Sequence, residues 1–211
     1  FHQPRLVISE LGLLKSLSKR NMVSGFAEIL KHSLIHDKVF FKSLTKNSKK
    51  ILEKIDFEII RKTISRSCKI KLFFANQDEK EKNKRMILNF GHTFAHGIEA
   101  ANSYSSKINH GEAVLLGMIL ATRLSFKKKV CSQDTLDKIE NFYETNNLPK
   151  NLKNYFSSNH LNKIANFMQV DKKNYDNKIN LILLKKIGKT TIPGKFRLSL
   201  KDIKAELKKI S

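Results

Sequence analysis

The chain of 211 residues has no tryptophan, 4 tyrosines, 2 cysteines, 3 prolines and 8 glycines. Each shortage excludes something. Cys68 and Cys131 are too few and too far apart for a disulfide framework, so a reducing, cytoplasmic setting is the expectation. Proline at positions 4, 149 and 193 alone leaves long stretches free to be helical. No Gly-x-Gly cluster occurs, which removes the phosphate-cradling turn of a dinucleotide-binding unit. The longest apolar run, Ala113 to Ala121 with Gly117 inside it, is far short of the ~20 residues a membrane-spanning helix needs. No basic-then-apolar leader opens the chain, and its start at Phe1 reads as that of a fragment.

Acidic residues are also scarce: 19 Asp and Glu stand against 41 Lys and Arg, for a formal charge of +22. Such a balance raises the question of nucleic acid. The lysines, however, are scattered through nearly every segment, and the few Tyr and absent Trp leave little for base stacking. The expected partners are therefore anionic small molecules, whose encounter a positive field speeds. The competing reading is a basic helical nucleic-acid-binding module whose histidines are structural.

With 40% hydrophobic residues and 14 Phe, the chain can fill a core. Residues 4–9, PRLVIS, read as a short buried strand. From Asn21 the pattern turns helical, with apolar residues at 26, 29, 30, 34, 35 and 39 near the 3.6 period. Residues 49–75 predict one or two further helices, and the charged run 76–84 a solvated loop or exposed helix start. The spacing predicts one helix over 85–101, a loop at 102–109 and a helix from Gly111 that is apolar almost all round. Helical stretches follow at 134–146 and 160–168, then a strand from Lys178, a turn at 188–194 and a closing helix over 201–210.

The chemistry concentrates in the stretch 85–101. On a single helix, Arg85, Asn89, His92 and His96 stand at offsets of 0, 4, 7 and 11 and fall within roughly 60° of one another. His92 and His96 have the spacing at which two imidazoles can reach one metal. Thr93 stands where a His-Glu-x-x-His motif has its acid, so a hydrogen-bonded polar seam explains the pair equally well. His110, in Asn109-His110-Gly111-Glu112, opens the most apolar helix and needs partners there, although Asn109 and Glu112 alone could be capping that helix. Glu28 sits among Phe26, Ala27, Ile29 and Leu30, with Lys31 three residues on, and a carboxylate with two imidazoles makes a set suited to zinc.

Taken together, these segments resemble the C-terminal half of the 3-dehydroquinate synthase family. Its carriers are Gly25–Lys31, Lys71 with Asp78-Glu79, Arg85–Ala100, His110–Met118, Asp171-Lys172-Lys173 and Leu183–Thr190. The resemblance implies a mainly α, multi-helix domain with a short N-terminal strand and a small β element near residues 178–192. It implies that residues 1–20 are the tail of a nucleotide-binding domain and that 21–211 bind metal and substrate. Glu28, His92 and His110 would hold zinc or cobalt. His96 and Lys31 would be catalytic, with His96 beyond the metal's ligands rather than among them. Lys31, Lys71, Arg85, Asn89 and Lys189 would contact a sugar phosphate.

The family converts 3-deoxy-D-arabino-heptulosonate 7-phosphate to 3-dehydroquinate and phosphate, a shikimate-pathway step towards chorismate and the aromatic amino acids. It uses NAD and a divalent metal and works as a homodimer. Another sugar-phosphate cyclase would share the metal residues. No residue of this chain is assigned to the nucleotide, so the 211 residues are expected to lack turnover by themselves. Residues 79–84 depart from the family in being rich in lysine and lacking a glycine.

Overall fold

A computed structural model describes residues 5–170 and 178–211. Its elements are a 3-10 turn at Leu11–Ser16, then α1 (Lys19–His36), α2 (Lys38–Leu52), α3 (Phe57–Gln77), a 3-10 turn at Lys84–Asn89, α4 (His92–Ala101), α5 (His110–Lys127) and α6 (Gln133–Thr145). After a short 3-10 turn at Leu152–Asn154 come α7 (Ser158–Val170), β1 (Lys178–Leu181), β2 (Leu184–Lys186), β3 (Lys189–Thr190), β4 (Phe196–Ser199) and α8 (Leu200–Ile210). Mainly helical architecture with a small C-terminal β element is therefore what the chain adopts. β1 pairs antiparallel with β4, Lys178 opposite Ser199, while β2 and β3 form an irregular antiparallel hairpin.

The core is built around α5, as its all-round apolarity predicts. Residues Ala113–Ala121 and Leu124 are all buried there, with α1, α4, α6 and α8 packed about them. Burying each such Leu or Ile side chain stabilises the fold by roughly 1.5–3 kcal/mol. The Tyr143 hydroxyl, which α6 buries in this core, donates to the Leu115 carbonyl at 2.8 Å. Among the described residues no helix is long and apolar enough to cross a membrane.

Three expectations need correction. Residues 5–10 form no strand, and Leu6, Val7 and Ile8 are 75%, 73% and 82% exposed. A strand exists only against a partner strand, and the two small sheets formed by the described residues lie elsewhere. Second, the periodic run through residue 39 is two helices. Asp37 ends α1 and starts α2: its Oδ1 accepts the Phe40 N–H at 2.9 Å and Oδ2 accepts from Arg66 Nε at 2.8 Å. A capping aspartate with a cation from α3 turns the chain without disturbing the apolar period.

Third, residues 85–101 are not one helix. The chain breaks at Gly91, which has φ +79, where only glycine is unstrained. The break lets two backbones meet. A Cβ at Gly91 would lie 2.7 Å from the Met118 nitrogen, and one at Gly117 would lie 2.1 Å from the Gly91 carbonyl oxygen. His92 and His96 thus stay together on α4, while Arg85 and Asn89 sit on the preceding 3-10 turn. The motif segment 171–173 lies outside the described residues.

Candidate metal centre

Glu28 projects from the middle of α1, His92 from the first turn of α4 and His110 from the first residue of α5. One ligand atom from each lies within 4.8 Å of the others. The His92 and His110 rings stand 5.7 Å apart at 68°. Glu28 Oε1 is buried and has no hydrogen-bond partner, and His92 Nε2 stands 3.4 Å from it. A buried lone oxygen flanked by two imidazoles is costly unless a cation completes it. One carboxylate oxygen and two ring nitrogens are the donor set of an open catalytic zinc site. The residues present therefore fit a divalent ion.

Surrounding groups orient these donors. Lys31 Nζ donates to Glu28 Oε2 at 2.7 Å, and Lys31 is only 3% exposed. Burial opposes ionisation of Glu28, yet the His92 contact and Lys31 outweigh it and hold the carboxyl well below the usual range. Burial likewise pulls the Lys31 ammonium down against the pull of Glu28. Lys71 and Glu81 lie close enough to bias Lys31 in opposite directions. Burial lowers His92, favouring the neutral ring that a metal requires. His92 Nδ1 faces the Phe90 carbonyl at 3.4 Å, leaving Nε2 towards Glu28. His110 Nδ1 meets Glu99 Oε1 at 3.0 Å, and that bond raises the imidazole above its ordinary value. A carboxylate behind a ligating histidine fixes its ring and tautomer.

Glu99 had no role in the sequence reading. Its signal was nonetheless present: offsets of 0, 4 and 7 place His92, His96 and Glu99 on one face of α4. His96 stands beside His92, ring centroids 5.8 Å apart and nearly perpendicular. It is not one of the three converging donors.

Of the residues assigned to substrate, Arg85 and Asn89 sit on less regular chain. Asp78 gathers the backbone N–H groups of Lys82, Asn83 and Arg85 at 3.0, 2.7 and 3.0 Å, closing residues 78–85 into a loop. Within it Arg85 Nη1 donates to the Glu79 carbonyl at 2.9 Å and Asn89 Nδ2 to Glu81 Oε1 at 2.7 Å. Lys71 is exposed on α3. Lys189 is exposed on β3, whose hairpin is tied to the far end of α1 by the Gly188 N–H on the Leu34 carbonyl at 2.7 Å.

The family described as 3-dehydroquinate synthase C-terminal matches residues 25–174. The chain belongs to the 3-dehydroquinate synthase family. Its relatives include the 3-dehydroquinate synthase of Pelagibacter ubique, 47% identical over 99% of this chain and 56% of that protein. That of Thermodesulfovibrio yellowstonii is 40% identical over 98% of this chain and 56% of its own length. The chain thus spans about half the length of the curated relatives it matches.

Solved structures share the fold. The 2-epi-5-epi-valiolone synthase of Streptomyces hygroscopicus subsp. jinggangensis, solved with NAD+ and Zn2+ bound, superposes with a TM-score of 0.80 at 21% identity, over 95% of this chain and 54% of that one. A 2-deoxy-scyllo-inosose synthase complexed with carbaglucose-6-phosphate, NAD+ and Co2+ gives 0.79 at 22% identity, over 100% of this chain and 57% of that one. At such identity the likeness speaks for the fold alone.

Proposed function

We propose that this chain is the metal- and substrate-binding half of a 3-dehydroquinate synthase, acting on 3-deoxy-D-arabino-heptulosonate 7-phosphate to give 3-dehydroquinate and phosphate. The observation that carries the reading is the orphaned Glu28 oxygen converging with His92 and His110. Identity of 40–47% to relatives bearing that name supports this substrate over those of sister cyclases.

In this reading Glu28, His92 and His110 hold zinc or cobalt, which when bound stabilises negative charge developing on substrate oxygens. Arg85 and Asn89 exchange their loop partners for substrate anions, Arg85 offering the forked geometry that phosphate favours. Lys31 and Lys71 add positive charge on the α1 and α3 sides, with Lys189 a further contact. Lys31, bonded to Glu28, also keeps that carboxylate aimed at the donors opposite. His96 moves a proton at the substrate, a task suited to imidazole near neutral pH. Residues 1–20 are the tail of a nucleotide-binding domain that carries NAD. The exposure of residues 5–10, with no fully buried residue in the first 3-10 turn, supports a boundary near residue 20.

The test is product analysis of the protein that carries this chain, supplied with NAD+, Zn2+ and either the heptulosonate phosphate or sedoheptulose 7-phosphate. Dehydroquinate and phosphate from the first substrate support the proposal. A carbocycle from the second alone moves the chain to a sister activity, and absence of bound metal removes the centre.

A further inference from the structure

His110 is the donor least secured by the core: it opens α5 and its side chain is 52% exposed. It follows a loop with two left-handed residues, Ser103 at φ 52 and Tyr104 at φ 53. Asn109 and Glu112 do form a capping box, Asn109 Oδ1 accepting the Glu112 N–H and Glu112 Oε2 the Asn109 N–H, both at 2.9 Å. Such a box satisfies helix-end donors but does not tie the end to any other element. Here a third residue does. Arg20 Nε and Nη2 donate to Glu112 Oε1 and Oε2 at 2.8 and 2.6 Å, a forked pair. The same guanidinium donates to the Ser106 carbonyl at 2.9 Å and the Lys107 carbonyl at 3.0 Å.

Arg20, Ser24 and Glu28 are spaced four apart, so one stripe of α1 faces this end of α5. Ser24 Oγ accepts the Gly111 N–H at 3.1 Å, one turn before Glu28. A Cβ at Gly111 would lie 2.2 Å from Ser24 Cα, so the helices touch backbone to backbone at this point. Gly111 permits the approach, and Arg20 supplies the directional bonds that fix the peptides leading into His110. The helix carrying one metal donor thereby gauges the position of another.

We infer that Arg20 is a positioning residue of the metal centre, holding His110 at ligating distance from Glu28 through Glu112 and the 106–107 carbonyls. The inference rests on Glu28, His92 and His110 binding a divalent ion. A positioning residue that never touches a metal typically changes its affinity by about 10–100-fold. An arginine fork cannot be reproduced by a single ammonium.

The experiment titrates Co2+ and Zn2+ against a chromophoric chelator, using the full chain as wild type, Arg20→Lys, Arg20→Ala, His110→Ala and the Arg20→Ala/His110→Ala double variant. The visible cobalt spectrum and the metal-free melting temperature are recorded for each. Arg20→Ala is expected to weaken binding by about tenfold or more and alter the cobalt bands, with Arg20→Lys in between. In the His110→Ala background the same change should have no further effect, because the ligand it positions is gone. Unchanged affinity in Arg20→Ala overturns the inference. So does an equal loss with and without His110, which marks general destabilisation. A wild-type chain that binds neither ion refutes instead the metal centre proposed above.

Discussion

The two halves of the candidate site are built by different means. Glu28 and His92 stand on helices packed into the core, with Gly91 and Gly117 in backbone contact behind them. Arg85 and Asn89 stand on a 3-10 turn whose approach is folded around one carboxylate, Asp78. The first half derives its geometry from apolar burial and tolerates little movement. The second derives it from exposed polar bonds that a ligand can replace. A cation seat that must hold fixed angles is placed on the rigid part, and anion contacts that must form and release are placed on the adjustable part.

This contrast can be broken from the rigid side first. Glu28→Ala removes the charged donor and should reduce zinc affinity more than a thousandfold, about 4 kcal/mol, in a chelator competition. It should also lower stability, since Lys31 is left buried without its partner. Next in size, Gly117→Ala forces a methyl against the Gly91 carbonyl. A loss of about 3 kcal/mol in urea unfolding is expected, with metal affinity falling too because α4 shifts. A wild-type-like midpoint would show the helix contact to be loose.

Acid tests the packing of α1 against α3. His32, buried with Nδ1 2.6 Å from Ser67 Oγ, is lowered to about 4 by burial and then by nearby Lys31. Its folded value lies below the ordinary 6.5, so the unfolded chain binds more protons between those limits. Stability should therefore fall as pH drops from 6.5 towards 4, by about 2 kcal/mol at pH 5. A His32→Gln variant should show a shallower slope in denaturant titrations across that window.

The smallest expected effect sharpens the comparison from the other side. Asp78→Ala should cost about 1 kcal/mol or less globally while opening residues 79–84 to trypsin and weakening phosphate binding. Zinc affinity should stay within twofold. Coupled loss of zinc would mean that the halves are not separately built.

Much of this was legible in the chain, for reasons particular to each element. The all-round apolarity of 111–126 predicted the central helix, and the separate motifs around Glu28, His92 and His110 resembled one family's metal ligands. What was not legible depends on distant partners. Arg20 finds Glu112 across 92 positions, and no local pattern announces that pairing. Leu6, Val7 and Ile8 alternate too little to reveal whether a partner strand exists. The break at Gly91 was hidden because the side-chain period continues through it, and only the proximity of Gly117 makes the left-handed glycine informative. The bond that Asp37 accepts from Arg66, on another helix, is likewise announced by no local pattern.

The Gly91–Gly117 contact also bears on how this protein can change over generations. Peptide atoms have no alternative rotamers, so the pitch of α4 on α5 is gauged by something no side-chain substitution nearby can retune. Apolar residues along both helices are then free to drift in size and shape, while His92 keeps its station.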